Sequence, residues 1–158
     1  MDGDVKMTET SAIFAYLGRK HNLCGSTEEA RIRNDMIYSV TTSNRSAFVF
    51  MCYNKEHEKM KGPFLESLGG RLEQYSQSLG KRDFFGGSEL VYADFCVYDL
   101  LDIWNQFEPG CVEKHENLKA YLARIEAIPS IKKFLESEAG MKKGPFNNKI
   151  AQWGNQTL

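Results

Sequence analysis

Residues Leu90–Phe107 read LVYADFCVYDLLDIWNQF, a helical segment with almost no polar side. Tyr92, Phe95, Val97, Tyr98, Leu100, Leu101, Ile103 and Trp104 point in nearly every direction around the axis. A surface helix carries one apolar stripe, so a helix that is apolar all round belongs at the centre of a bundle. Its acids, Asp94, Asp99 and Asp102, then need partners, because an unpaired buried carboxylate is costly. Asp94 stands at the third helical position, where it can accept the Val91 amide as a structural cap. Pro109-Gly110 ends the segment.

The neighbouring segments supply the rest of a bundle. Ser26-Thr27-Glu28-Glu29 has a serine with a glutamate three residues on, the reciprocal pair that satisfies two orphan amides at a helix start. Ile32, Met36, Ile37 and Val40 follow at helical spacing, six polar residues from Thr41 to Ser46 interrupt, and Phe48, Met51 and Cys52 resume. Propensity alone breaks the helix at the interruption; a continuous helix needs a polar or wet surrounding for those hydroxyls and amides. Gly62-Pro63 reads as a fresh start for the stripe Phe64, Leu65, Leu68, Leu72, Tyr75 and Leu79, which runs to Gly80. After the bundle's central segment, Glu116 to Ile128 is amphipathic, Pro129 opens a short helix to Leu135, and Pro145, Phe146 and Trp153 mark an irregular tail. At the other end, Asp4–Thr8 reads as a strand and Thr10 or Glu9 opens a helix that runs to His21. No later segment offers this strand a neighbour, so it reads as the tail of a sheet. The expected fold is mainly all-α: about five helices in a bundle, preceded by a strand-helix fragment.

The composition excludes several function classes. The 158 residues are 42% hydrophobic and 26% charged, with 20 Lys and Arg against 21 Asp and Glu, a formal net charge of -1. That balance offers no broad field to nucleic acid or anionic lipid. No apolar run reaches the roughly 20 residues of a membrane span, and Met1-Asp2-Gly3-Asp4 is not an export signal, so a cytoplasmic protein is expected. Cys24, Cys52, Cys96 and Cys111 are scattered without a CxxC pair, and His21, His57 and His115 are equally dispersed; no metal-ligand spacing exists.

Three segments in order, VKMTETSAIFAYLGRKHNLCG, SLGKRDFFGGSELVYADFCVYDLLDIWNQFEPGC and NLKAYLARIEAIPSIKKFLES, together with the tail NKIAQWGN, closely resemble the cytosolic glutathione transferases of the Mu class. The resemblance implies that residues 1–25 are the closing strand and helix of a thioredoxin-like glutathione-binding domain. Residues 26–158 then correspond to the all-helical C-terminal domain. It implies conjugation of reduced glutathione to hydrophobic electrophiles, with glutathione as a co-substrate and no cofactor, in a homodimer when full-length. The family's catalytic tyrosine, near the start of its first domain, has no counterpart here, so catalysis by these residues alone is expected to be poor. A further alternative is that Met1 marks an incomplete transcript. A non-catalytic helical module that binds an apolar ligand or a partner protein is the alternative.

Residue by residue, Glu9-Thr10 matches a glutamine-serine pair that grips the γ-glutamyl end of glutathione at a helix N-terminus, where free amides and the positive dipole end favour a carboxylate. Glu9 departs from the glutamine and could instead hold the ammonium. Tyr53 matches a second tyrosine that assists at the electrophile. Thr42, Arg45, Ser46 and Phe146 match pocket-facing positions, Asp94 the structural capping acid, and Arg19 and Asp35 dimer contacts. Ser43 stands where the family has an acid, Ala15 where it has an interface arginine, and Val91 where it has a hydroxyl cap.

Overall fold

The computed structural model describes residues 2–137, 145–146 and 149–155; Met1 lies outside them. Six helices follow one another: α1 (Thr10–Lys20), α2 (Glu28–Tyr53), α3 (His57–Leu79), α4 (Tyr92–Phe107), α5 (Glu116–Glu126) and α6 (Pro129–Leu135). Helix α4 is the centre, packed against α1, α2 and α5, while α3 packs on α2 and α5. Val97, Leu100, Leu101 and Trp104 of α4 are fully enclosed, as its apolar circumference requires.

The acids of α4 all have partners. Asp94, buried completely, accepts the Val91 amide and the Phe85 amide, each at 2.9 Å. It therefore closes the turn Phe84–Gly87 onto the helix start. Asp99 is paired with Arg45, and Asp102 accepts a 2.8 Å hydrogen bond from Gln106. Tyr121 of α5 adds a 2.7 Å bond to the Asp94 carbonyl, tying α5 to the same point.

Three local expectations are corrected. The run Asp4–Thr8 forms no strand; Asp2 and Val5 exchange amide-carbonyl bonds of 3.1 Å across a turn, because no described segment offers a strand edge to pair with. The cap of α2 is Thr27, whose hydroxyl accepts the Ala30 amide at 3.1 Å. Ser26 is occupied elsewhere, donating from its amide and hydroxyl to Glu89 at 2.9 and 2.8 Å. Helix α3 starts at His57, ahead of Gly62-Pro63, since Asn54 accepts the Glu56 amide on its side chain (2.8 Å) and the His57 amide on its carbonyl (3.1 Å). Pro63 therefore lies inside the helix, where it removes the ladder bond to the Lys59 carbonyl and its ring crowds that carbonyl.

Helix α2 also runs unbroken through Thr41–Ser46. Thr41 and Asn44 turn inward, where Tyr75 of α3 donates to the Thr41 hydroxyl at 3.1 Å and accepts from Asn44 at 3.2 Å. Arg71 donates to the remaining Asn44 oxygen. Tyr75 is itself only 2% exposed, so both of its bonds are shielded from water. Tyr75→Phe is expected to cost about 1–2 kcal/mol, since it strands two buried polar groups while keeping the ring's packing. The urea midpoint should fall with an unchanged slope.

Candidate functional site

Helix α1 begins without a side-chain cap, and its first intrahelical bond runs from the Ile13 amide to the Glu9 carbonyl at 3.0 Å. The amides of Thr10, Ser11 and Ala12 therefore lie outside the helical ladder, at the positive end of the dipole. Glu9 introduces this turn with φ 66 and ψ 117, a conformation few non-glycine residues adopt. Such strain persists where the surroundings over-determine it, most often beside a binding site.

The start of α1 faces α2 and α4 across an open groove of about 640 Å³. Glu9, Thr10, Ser11 and Phe14 form one wall, Tyr38, Thr41, Thr42, Arg45, Ser46 and Val49 the second, and Phe95, Cys96 and Asp99 the third. The residues turn inward for a simple reason. On α2, positions 38, 42, 45, 46 and 49 share one face, and on α4 positions 95, 96 and 99 do the same. The groove is polar along its α2 side and aromatic behind. Phe14 meets Tyr38 at 6.0 Å and Tyr92 at 6.4 Å between ring centroids, and Tyr38 meets Tyr92 edge-on at 5.3 Å.

The groove's titratable side chains are poor nucleophiles. Burial pushes the Cys96 thiol up to about 12, so it stays protonated near neutral pH and rests against the Tyr92 carbonyl at 3.7 Å. Burial also raises the Tyr38 hydroxyl, opposed by its hydrogen bond with Thr42. The arrangement suits binding an anionic head at α1 and an aromatic body between α2 and α4.

Five of the residues expected from the sequence thus meet in one place: Glu9, Thr10, Thr42, Arg45 and Ser46. Tyr53 and Phe146 do not line it. They pair with each other, ring centroids 5.2 Å apart, and Phe146 contacts Trp153 at 6.4 Å. Tyr53 follows Val49 by one turn of α2, so this aromatic pair continues the groove's α2 wall beyond its end. Phe146 is buried, its amide bonded to the Gly154 carbonyl at 3.0 Å. Arg19 and Asp35 are exposed and lie outside the groove; Asp35 accepts from the Asn34 side-chain amide at 3.1 Å. Phe14, Tyr38, Phe95 and Asp99 were not anticipated. An aromatic on a helix face reads as core, and only the helical spacing of Tyr38 to Thr42 hinted otherwise. Among the described residues, no group of three or more His, Cys, Asp or Glu could hold a metal ion. No helix among them is long and apolar enough to cross a membrane.

A family model described as "Glutathione S-transferase, C-terminal domain" matches residues 43–138. The chain is 45% identical over 158 residues to glutathione S-transferase Mu 3 of Macaca fuscata fuscata, covering 100% of this chain and 70% of that one. It is 42% identical over 156 residues to glutathione S-transferase Mu 1 of Homo sapiens, covering 99% and 71%. Among solved structures, the crystal structure of the glutathione S-transferase Blo t 8 superposes with a TM-score of 0.89 at 27% identity, over 98% of this chain and 73% of that one. The Onchocerca volvulus Pi-class glutathione S-transferase superposes at 0.85 with 28% identity, over 96% and 74%.

Proposed function

The chain belongs to the glutathione S-transferase family, and from that membership we propose that it serves Mu-type conjugation of reduced glutathione to hydrophobic electrophiles in the cytosol, with no cofactor. Residues 1–25 close the glutathione-binding domain, and residues 26–158 form the helical domain that shapes the acceptor pocket. The single observation that carries this reading is the groove, which joins an uncapped helix start to an aromatic cleft.

In the reaction, the glutathione thiol releases its proton to solvent, its sulfur forms a bond to an electrophilic carbon, and that carbon's bond to the leaving group breaks, the group departing with the electron pair. The free amides of α1 and the Thr10 hydroxyl hold the γ-glutamyl carboxylate, and Glu9 takes the ammonium beside it. Phe14, Tyr38 and Phe95 give the electrophile an aromatic wall, and Thr42, Arg45 and Ser46 offer hydrogen bonds to its polar edge. Tyr53 donates a hydrogen bond to the departing group, and Phe146 caps the pocket beyond the groove's end. Titration with S-hexylglutathione is expected to show saturable binding, weakened about tenfold by Thr10→Val, the loss of one hydrogen bond to a charged group. Absence of binding overturns the reading.

A second reading has its own observation. Ile32, Met36, Val40 and Phe50 share one face of α2 and are 51%, 65%, 45% and 63% exposed. Such a stripe, with Asp35 next to Met36 on the same helix, suits a second copy or a partner protein bound by a non-catalytic module. A monomer silent to hydrophobic dyes removes the motive for this second reading.

A further inference from the structure

We propose that Asp99 sets the charge preference of the groove's aromatic part, away from the α1 amides, by holding Arg45 in an ion pair, so that this part accepts neutral or cationic aromatic compounds and rejects anionic ones. The proposal rests on the reading of the groove as the acceptor pocket. Three charged side chains line it: Glu9 and Asp99 are acids, and Arg45 is the lone base. Arg45 reaches from α2 to Asp99 on α4, and both remain partly exposed, at 41% and 55% of their side chains. Exposed pairs of this kind contribute little to stability, so cross-linking two helices that already pack closely is a weak reason for the pair.

Its effect on a ligand is larger. A guanidinium beside aromatic rings is a strong receptor for carboxylates, because its fork donates two parallel hydrogen bonds. Asp99 already accepts from one arm of that fork. An incoming anion must compete with that carboxylate for Arg45 while it approaches the fixed negative charge of Asp99. A neutral acceptor faces no such competition. Asp99 is in this sense a positioning residue, acting through Arg45.

The test uses the full chain, with 1-naphthaleneacetate and its methyl ester as isosteric probes. Asp99→Asn is expected to tighten the carboxylate about tenfold, as a freed charge-assisted contact allows, and to leave the ester within about twofold. Asp99→Glu should restore the original ratio of the two affinities. The gain should vanish when Arg45→Gln is added to Asp99→Asn. Both probes shifting together, an unchanged ratio, or a gain that persists without Arg45 overturns the proposal, as does failure of either probe to bind any of these proteins. A chain that shows the charge switch yet does not bind S-hexylglutathione defeats the transferase reading and leaves this preference standing.

Discussion

Asp94→Ala is expected to cost about 3–4 kcal/mol near pH 5, because it leaves the buried amides of Phe85 and Val91 without an acceptor and opens a cavity at the start of α4. The side chain is fully enclosed, so water cannot replace the carboxylate. The loss also depends on pH. Burial is the main reason the Asp94 carboxyl is pushed up to about 6 from an ordinary 3.8, with the Val91 and Phe85 amides pulling the other way. The unfolded chain releases this proton near the ordinary value and the folded protein only near 6. Between those values the folded state holds the extra proton, so wild-type stability declines as pH rises through the window and levels off above it. The penalty of Asp94→Ala should therefore narrow by roughly 1–2 kcal/mol between pH 5 and pH 7.5. Urea unfolding of both proteins at the two pH values measures it. A loss under about 1 kcal/mol at pH 5, or one that does not vary with pH, contradicts the account.

Gly18→Ala should act on the docking of α1. A methyl group there would lie 2.5 Å from the Tyr92 ring and 3.0 Å from the Cys24 sulfur. Tyr92 has little room to yield, being 7% exposed and flanked by Phe14 and Tyr38. Overpacking of this kind costs about 1–3 kcal/mol. Since α1 packs on α4, the strain falls on their contact and not on the bundle. The Tyr92 amide reports it directly, because it donates to the Leu23 carbonyl just past α1 at 2.7 Å. Its hydrogen-exchange protection is expected to fall by roughly thirtyfold, equivalent to about 2 kcal/mol, while amides in the middle of α4 keep theirs. Glutathione-analogue binding should weaken in parallel, as Glu9 and Thr10 leave the groove. Trimming the ring with Tyr92→Leu in the same chain should restore part of both.

The parts of this fold that local chemistry specifies could be read in advance. Leu90–Phe107 announced the central helix, Pro109-Gly110 its end, and Pro129 the start of α6. What escaped depends on partners distant in sequence. Ser26 looks like the better cap until Glu89, 63 residues away, claims its amide and hydroxyl. Thr41 and Asn44 look like a break until Tyr75 supplies bonds from the next helix. The groove divides in the same way. Glu9, Thr10, Thr42, Arg45 and Ser46 could be named because they match a family pattern, whereas Phe14, Tyr38 and Phe95 are chemically indistinguishable from core until neighbouring helices leave them facing a cleft. Asp99 was noticed only as an acid in need of a partner.

The bonds joining Tyr75 to Thr41 and Asn44 have a consequence for alignment. Leucine and phenylalanine surfaces tolerate sliding, since a shift by one turn trades one hydrocarbon contact for another of similar worth. A hydroxyl has no such substitute: move α2 along α3 by 5.4 Å, the pitch of a helix, and three shielded polar groups lose their partners together. That trio acts as an indexing pin that fixes the longitudinal offset of the two longest helices. Through α2 it also fixes the height at which Thr42 and Arg45 stand opposite Thr10.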